Sequence, residues 1–146
     1  LFRSRPMGRS TSGVIGMKFR AGDELLAMAR VNSQLEGNSF VFTATDGGYG
    51  KKTPIEEYRL QGRGGIGIKA AKIDEDSRGT LVSALVLVDT DEILAITSAG
   101  TVMRTQASEI RQTGRDSMGV RLVNLDEGAT LLTVTRSRED EISEEK

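Results

Sequence analysis

The hydrophobic pattern of this chain is that of short β-strands separated by tight turns. Residues 40–45 are rich in aromatic and β-branched side chains and end at Asp46-Gly47-Gly48, a strong turn signal. Residues 81–88 form one continuous apolar run, which is typical of a strand buried on both faces. Residues 93–97 form another apolar stretch and lead to a second turn at Ser98-Ala99-Gly100.

Other parts of the pattern add one strand and very little helix. Residues 66–69 alternate between apolar and other side chains with a period of two, which predicts a strand. Residues 55–58 and 107–110 each have helical character over about one turn. We therefore expect an all-β chain.

Three segments share the pattern Gly-Arg-x-x-x-Gly followed by a β-branched residue, and they align without gaps. They are termed loop 1 (Gly8–Gly13), loop 2 (Gly62–Gly67) and loop 3 (Gly114–Gly119). Their starts lie 54 and 52 residues apart. Such self-similarity at a fixed period is the signature of repeat architectures.

Two further elements recur in the same order, which strengthens the repeat. Gly22–Met28 matches Gly128–Val134, and Gly79–Leu85 fits with one residue deleted. Thr45–Lys51 aligns with Ser98–Arg104 at an interval of 53 residues.

A unit of about 52 residues with roughly four strands matches one blade of a radial β-array. The predicted units cover about 8–61, 62–113 and 114–136, and residues 1–7 would end a preceding unit. Residues 137–146 are predicted to form an acidic disordered tail.

Composition excludes several kinds of chemistry. The 146 residues include no cysteine and no histidine, so disulfides, zinc–thiolate sites, cysteine nucleophiles and histidine bases are absent. A reducing, cytosolic compartment fits this composition. No apolar run approaches the roughly 20 residues that cross a bilayer. No catalytic residue is expected in this chain.

The charge distribution is more informative than the net charge of −1. The last ten residues hold two basic and five acidic side chains, a net charge of −3, which leaves +2 for the rest. Any site for a polyanion must therefore arise from clustering of cations. Because the acidic tail would screen such a cluster, deleting residues 137–146 is expected to tighten the binding of a polyanion at low salt.

The Gly-Arg loops provide such clustering. Glycines allow close backbone approach, backbone amides in such turns can face an anion, and the arginine fork suits phosphate oxygens. Three copies would place one arginine per blade along a shared rim, which suits a long polyanion. The predicted DNA-binding residues are Arg9, Lys18, Lys51, Lys52, Arg63, Lys69, Arg104, Arg115 and Arg121.

Other ligands are less compatible with the sequence. Loop 2 satisfies a dinucleotide-binding pattern, but a period-two stretch follows where a helix is required. Gly50–Thr53 lacks the first glycine of a phosphate-binding P-loop. The acidic turns at 74–76 and 89–92 are typical of solvated turns, and no metal is expected. Aromatic residues make up 4% of the chain, which favours double-stranded DNA over a base-stacking single-strand site. A propeller-type protein-interaction scaffold remains an alternative.

Loop 2 and its preceding glutamine resemble the gyrase A box, a Gln-Arg-Arg-Gly-Gly-Lys-Gly loop in the C-terminal domain of the DNA gyrase A subunit. Five of seven positions match, with glycine and isoleucine in place of two basic residues. The box-like residues are Gln61, Gly62, Arg63, Gly64, Gly65, Ile66 and Gly67. Residues 5–9, 45–51 and 114–120 are also similar to that domain.

This resemblance implies about half of a six-bladed β-pinwheel whose blades exchange strands and bend DNA around a basic rim. It implies an ATP-dependent type II topoisomerase of bacterial cytoplasm, acting at the nucleoid, which introduces negative supercoils. Double-stranded DNA, the rest of gyrase A and gyrase B are the implied partners, in a heterotetramer without membrane contact. No cofactor is implied for this chain, because ATP and Mg²⁺ act elsewhere in the holoenzyme, and Tyr49 and Tyr58 are structural. Topoisomerase IV has a related domain and is the nearest alternative.

Overall fold

The computed structural model describes residues 6–31 and 37–137. Within them the chain is mostly sheet, as predicted, with one four-residue helix and two short 3-10 turns. The strands are β1 (Ser39–Thr45), β2 (Tyr49–Pro54), β3 (Leu81–Val88), β4 (Glu92–Thr97), β5 (Val102–Gln106), β6 (Val120–Arg121) and β7 (Leu131–Ser137). The helix is α1 (Glu75–Arg78), and the 3-10 turns are Ile55–Glu57 and Ala107–Glu109.

The strands form two antiparallel sheets, each built on a β-hairpin. The first, termed blade 1, has the strand order β3-β1-β2-β6, and the second, termed blade 2, has the order β5-β4-β7. In both, the long strand downstream of the next Gly-Arg loop, which is β3 in blade 1 and β7 in blade 2, pairs with the first strand of the hairpin. A register irregularity recurs at corresponding places, between Ala44 and Thr45 and between Ile96 and Thr97.

The two hairpins correspond pair by pair at an interval of 52 residues. Phe42 pairs with Lys52 in blade 1, as Leu94 pairs with Arg104 in blade 2. The turns also correspond, because Gly48 and Gly100 donate to Thr45 and Thr97 over 3.0 Å. The interval of 53 predicted for this element is thus wrong by one residue, because the sequence match followed the small turn residues instead of the strand pairing. Arg104 therefore corresponds to Lys52 and not to Lys51.

The chain between β5 and β7 leaves blade 2 and runs along the outer strand of blade 1. We term residues 112–123 the arm. It begins with a bridge from Gln112 to Lys52, continues through loop 3, and pairs β6 with β2 at Tyr49–Arg121 and Gly50–Val120. Blade 2 thus supplies the fourth strand of blade 1, which is the strand exchange that the resemblance implies.

A glycine permits this close approach of the arm to β2. Gly119 has φ of +79°, and a Cβ atom there would lie 2.8 Å from the carbonyl oxygen of Gly50. Both the left-handed backbone and the tight contact require glycine at this position.

The hydrophobic core lies within and between the blades. Strands β3 and β7 meet through the Ser83 hydroxyl, which accepts from the Val134 amide over 2.7 Å. These two edge strands face each other, so the β2–β6 edge of blade 1 and the β5 edge of blade 2 each lie at the end of their sheet that is away from this contact. The buried apolar cluster comprises Phe42, Ala44, Leu87, Ile93, Ala95, Ala107, Ile110, Val123, Leu131 and Val134.

Several sequence predictions differ from the structure. Residues 66–69 form no strand, although the corresponding Val120–Arg121 of the third unit forms β6. The reason is that β6 has the β2 edge as its partner, whereas none of residues 6–31 or 37–137 offers such an edge to 66–69. Ser137 belongs to β7 and pairs with Glu92, so the predicted tail begins one residue too early. The rest of that tail, and residues 1–5 of the predicted preceding unit, lie outside the described residues.

Candidate nucleic-acid interface

Loop 2 lies against the segment that follows loop 1. The Gly64 amide donates to the Gly16 carbonyl over 3.0 Å, and the Lys18 amide donates to the Gly65 carbonyl over 2.9 Å. These hydrogen bonds bring the exposed Lys18 next to the loop that carries the exposed Arg63. Two cations from consecutive units therefore lie on neighbouring backbone segments.

Loop 3 repeats this relation with the segment that follows loop 2. The Arg115 guanidinium donates through Nη1 to the Lys69 carbonyl over 2.9 Å, and the Lys72 amide donates to the Ser117 carbonyl over 3.2 Å. Arg115 and Lys69 are thereby neighbours. The Arg115 amide also donates to the Glu57 carboxylate over 2.6 Å, so one backbone donor of loop 3 already faces an anion from within the protein.

Beyond loop 3, two arginines flank one aromatic ring. Arg121 lies on β6 opposite Tyr49, its guanidinium carbon 5.2 Å from the ring centroid, and donates to the Tyr49 hydroxyl over 2.9 Å. Arg78, the last residue of α1, has its guanidinium carbon 4.3 Å from the same centroid and donates to the Gly119 carbonyl over 3.2 Å. Arg78 is not among the residues predicted from the sequence, because nothing in its local sequence indicates that α1 lies beside the arm.

These contacts connect the cations of successive units into one series. We term it the basic row. Loop backbones or the Tyr49 ring link each member to the next, except that Arg63 and Lys69 are joined only by the chain between them. The basic row consists of Lys18, Arg63, Lys69, Arg115, Arg78 and Arg121. Arg9 is exposed in loop 1, with no contact to the row among the described residues.

Lys51 and Lys52 do not lie on the surface as predicted. They are 2% and 3% exposed. The Lys51 ammonium donates to the carbonyls of Gly114 and Ser117 over 2.9 and 3.3 Å, and to that of Arg115 over 2.5 Å. Lys51 therefore anchors loop 3 to β2. Burial lowers the pKa of the Lys51 ammonium; the charges of Glu57 and Asp116 oppose this shift, and the charge of Arg115 adds to it.

Lys52 binds blade 2 on the other face of β2. Its ammonium forms an ion pair with Asp89 at 2.6 Å, donates to the Ala107 carbonyl over 2.8 Å and lies 4.6 Å from the Phe40 ring centroid. Because successive strand residues face opposite sides, the two lysines fasten β2 both to the arm and to blade 2. Their burial removes both from the candidate interface.

Arg104 lies on β5, apart from the basic row, and its charge is compensated. Its Nε donates to the Glu92 carboxylate over 2.8 Å, and the same two side chains form an ion pair through Nη2. Arg104 is exposed, but the neighbouring carboxylate weakens its attraction for a polyanion.

The box-like loop 2 borders an open, mostly apolar cavity of about 400 Å³. Apolar groups of Met17, Ile55, Leu60 and Ile68, together with Tyr58, contribute to its lining. Burial raises the pKa of the Tyr58 phenol, with a smaller opposing effect from Thr53. No helix follows loop 2 before α1, so loop 2 lacks the strand-loop-helix context of a dinucleotide site.

The acidic turns are used within the fold. Asp74 accepts from the Ser77 hydroxyl over 2.8 Å, and Asp91 accepts from the Val88 amide over 2.8 Å. Residues 6–31 and 37–137 contain no group of three or more acidic side chains arranged to hold a metal ion. Nor does this part of the chain include a helix with the length and apolarity of a membrane span.

A family model described as DNA gyrase C-terminal domain, beta-propeller, matches residues 5–32, 39–87 and 91–138. The chain belongs to this family. Two of the three matched segments nearly coincide with blades 1 and 2, and the resemblance first indicated by loop 2 is confirmed.

Curated relatives of the family give the same result. The A subunit of DNA gyrase from Streptomyces coelicolor is 59% identical over 135 residues, which cover 92% of this chain and 15% of that protein. The A subunit of DNA gyrase from Mycobacterium tuberculosis is 50% identical over 136 residues, which cover 93% of this chain and 16% of that protein. The chain therefore spans about a sixth of the length of these relatives.

Solved structures confirm the fold. A DNA gyrase A C-terminal domain matches with a TM-score of 0.73 and 29% identity, covering 90% of this chain and 43% of that one. The C-terminal domain of a DNA topoisomerase IV matches with a TM-score of 0.76 and 22% identity, covering 85% of this chain and 38% of that one. The second likeness shows a shared fold alone.

Proposed function

We propose that this chain binds and wraps double-stranded DNA along the basic row, as a C-terminal part of gyrase A. In this role it supports ATP-dependent negative supercoiling by a holoenzyme that includes gyrase B and the rest of gyrase A. Strand cleavage and ATP hydrolysis belong to those other parts. The setting is the bacterial cytoplasm, at the nucleoid.

The observation that carries this proposal is the linkage of cations between successive units. The Lys18 amide donates to Gly65 of loop 2, and the equivalent hydrogen bond one unit later runs from the Lys72 amide to Ser117 of loop 3. Lys69, in the same segment as Lys72, contacts Arg115 of loop 3. A series of cations that continues from unit to unit matches a ligand that also continues. A nucleic-acid backbone is such a ligand, because it carries a charged phosphate at every nucleotide. Each phosphate that a cation neutralises releases counterions, which favours binding.

The chemistry of the row favours the backbone of a duplex over its bases. Its members are arginines and lysines, and the Tyr49 ring is already in contact with two guanidinium groups. An exposed series of free aromatic rings, which single strands require for base stacking, is not found among the described residues. Binding is therefore expected to depend little on sequence.

Gyrase is favoured over topoisomerase IV by the identities. The gyrase A relatives are 50–59% identical over more than nine-tenths of this chain, and among solved structures the gyrase A domain is 29% identical and the topoisomerase IV domain 22%. A protein-interaction scaffold is the other candidate class, and it predicts no binding of bare DNA.

Salt dependence of DNA binding tests the proposal. Fluorescence anisotropy with a labelled duplex of about 40 base pairs would give the slope of log affinity against log salt concentration for the full chain. Arg63→Ala and Arg115→Ala should each reduce that slope by about 0.9 and weaken binding to all sequences alike. Arg104→Ala, which removes the same charge from a compensated position, is the matched control and should change the slope little. A wild-type chain without salt-dependent binding would contradict the proposal.

Wrapping needs its own measurement. A nicked circular DNA sealed by ligase in the presence of the chain should change its linking number if the duplex is wrapped. Arg63→Ala and Arg115→Ala together should reduce that change. If the chain bound DNA tightly but left the linking number unchanged, the binding part of the proposal would stand and the wrapping part would be contradicted.

A further inference from the structure

The ring of Tyr49 holds two guanidinium groups of different origin. Arg78 comes from α1 within blade 1, whereas Arg121 comes from the arm supplied by blade 2. Their guanidinium carbons lie 4.3 and 5.2 Å from the Tyr49 centroid, within the range of cation–π attraction. The ring therefore gathers two permanent charges at the junction of the blades.

Neither of these charges is neutralised by a carboxylate of the described residues. Arg78 donates through Nη1 to the carbonyls of Gly119 and Met118, and Arg121 donates to the Tyr49 hydroxyl. These acceptors are neutral, so both positive charges persist. By contrast, Arg104 is paired with Glu92 and Arg136 with Asp91.

Most of the hydrogen-bonding capacity of the pair is also unused. A guanidinium has five N–H donors in a planar fork that matches phosphate oxygens. Arg78 uses one nitrogen in its contacts within the protein, and so does Arg121. The ring and the neutral acceptors fix the side chains while leaving donors and charge for a ligand, which lowers the entropy lost on binding.

The stack is continuous with the Gly-Arg loop beside it. Gly119, which accepts from Arg78, is the last residue of loop 3, and Arg115 of the same loop contacts Lys69. An anion held by the stack would thus lie next to an anion held by loop 3. A neighbouring pair of anion sites fits a polyphosphate backbone.

We propose that Arg78, Tyr49 and Arg121 form a preorganised site for backbone phosphate of double-stranded DNA at the junction of blades 1 and 2. This inference rests on the proposed function and deepens it, because it assigns a phosphate site to two members of the basic row that lie outside the Gly-Arg motif. The two arginines make the contacts to phosphate. Tyr49 is a positioning residue, because it acts by holding them.

Charge-removing variants test the phosphate contacts. In the full chain, Arg78→Gln and Arg121→Gln should each reduce the salt slope of duplex binding by about 0.9, and the double variant by about 1.8. Arg136→Gln is the matched control, since it removes one charge that is already paired with Asp91, and its slope should stay unchanged. Unchanged slopes for Arg78→Gln and Arg121→Gln, with steep binding by the wild type, would overturn this site and leave the proposed function intact. Loss of salt-dependent binding in the wild type would overturn both.

A variant of the ring separates preorganisation from charge. Tyr49→Leu keeps both arginines, so the salt slope should be retained while affinity falls about fivefold. Unchanged affinity in Tyr49→Leu would overturn the positioning role. Circular dichroism of each variant would establish that it is folded. If a glutamine variant unfolds, the corresponding lysine variant, Arg78→Lys or Arg121→Lys, takes its place. It should keep the salt slope of duplex binding but bind the duplex more weakly, and an unchanged affinity would overturn the site.

Discussion

Blades 1 and 2 share one hairpin design but end with different outer edges. In blade 1, the arm covers β2, and Lys52 is buried in an ion pair with Asp89. In blade 2, no described residue covers β5, its Val102 is 57% exposed, and Arg104, the counterpart of Lys52, lies in solvent with Glu92. The same basic position therefore holds a buried lysine that joins two parts of the fold in blade 1, and an arginine in a surface ion pair in blade 2.

The difference also affects the candidate interface. At the positions of Tyr49 and Arg78 in blade 1, blade 2 has Thr101 and Glu127. A phosphate site like the proposed stack therefore cannot form on blade 2, where the acidic side chain would repel the ligand. We infer that individual blades of one repeat are specialised, and that a motif shared by all blades does not make their surfaces alike.

The largest expected effect comes from preventing the arm from lying on β2. Gly119→Ala places a methyl group about 2.8 Å from the Gly50 carbonyl oxygen at a φ of +79°, and should lower the free energy of unfolding by about 3 kcal/mol. Gly128→Ala is the control, because its φ is also +79° but no atom lies within 4 Å; it should cost about 1 kcal/mol. Urea denaturation measures both, and equal losses would mean that the arm contact contributes nothing.

A smaller effect is expected from giving blade 1 the residue that blade 2 has. Lys51 corresponds to Met103, and Lys51→Met leaves three loop 3 carbonyls without their donor. We expect a loss of about 2 kcal/mol in unfolding free energy. Amide hydrogen exchange in loop 3 should also become faster.

The reverse exchange completes that comparison. Met103→Lys places an ammonium on β5 where no described carbonyls converge, and it replaces a side chain that packs, partly buried, against the core. The free energy of unfolding should fall by about 1 kcal/mol, but amide hydrogen exchange in loop 3 should stay unchanged. If both substitutions made exchange in loop 3 faster to the same extent, the fastening role of Lys51 would be refuted.

The smallest effect concerns Tyr58, whose counterpart in blade 2 is the buried Ile110. Burial raises the pKa of the Tyr58 phenol, so in Tyr49→Phe, where Tyr58 is the remaining tyrosine, absorbance at about 295 nm should rise only above the ordinary pKa of about 10. The unfolded chain releases this proton first, and the free energy of unfolding should therefore fall as pH rises above about 10. A titration midpoint at or below 10 would contradict the burial of the phenol.

Local pattern was sufficient to predict the hairpins but not the path of the arm. The turns at Asp46 and Ser98 and the apolar run in β3 are encoded by neighbouring residues, so they were predictable. The arm depends on the β2 edge about 70 residues earlier in the chain. Nothing in the sequence of residues 112–123 indicates with which strand edge the arm will pair.

The same limit explains the errors at the candidate interface. Lys51 and Lys52 follow a turn in sequence, a position that normally indicates exposure, and only the arm and blade 2 together bury both faces of their strand. Arg78 sits in an acidic turn that resembles a solvated loop. Its place beside Tyr49 follows from the packing of α1 against the arm, for which the sequence holds no local signal.

The arm gives the contact between blades a direction. Blade 1 receives a strand and blade 2 donates one, so the two blades are joined head to tail and cannot exchange places. Arg115 and Arg121 belong to the donated segment and lie along the β2 edge of blade 1, not on the blade that donates them. The course of the donated segment therefore sets the spacing of these charges, and the curvature imposed on a bound polymer would depend on how each blade reaches across to the next.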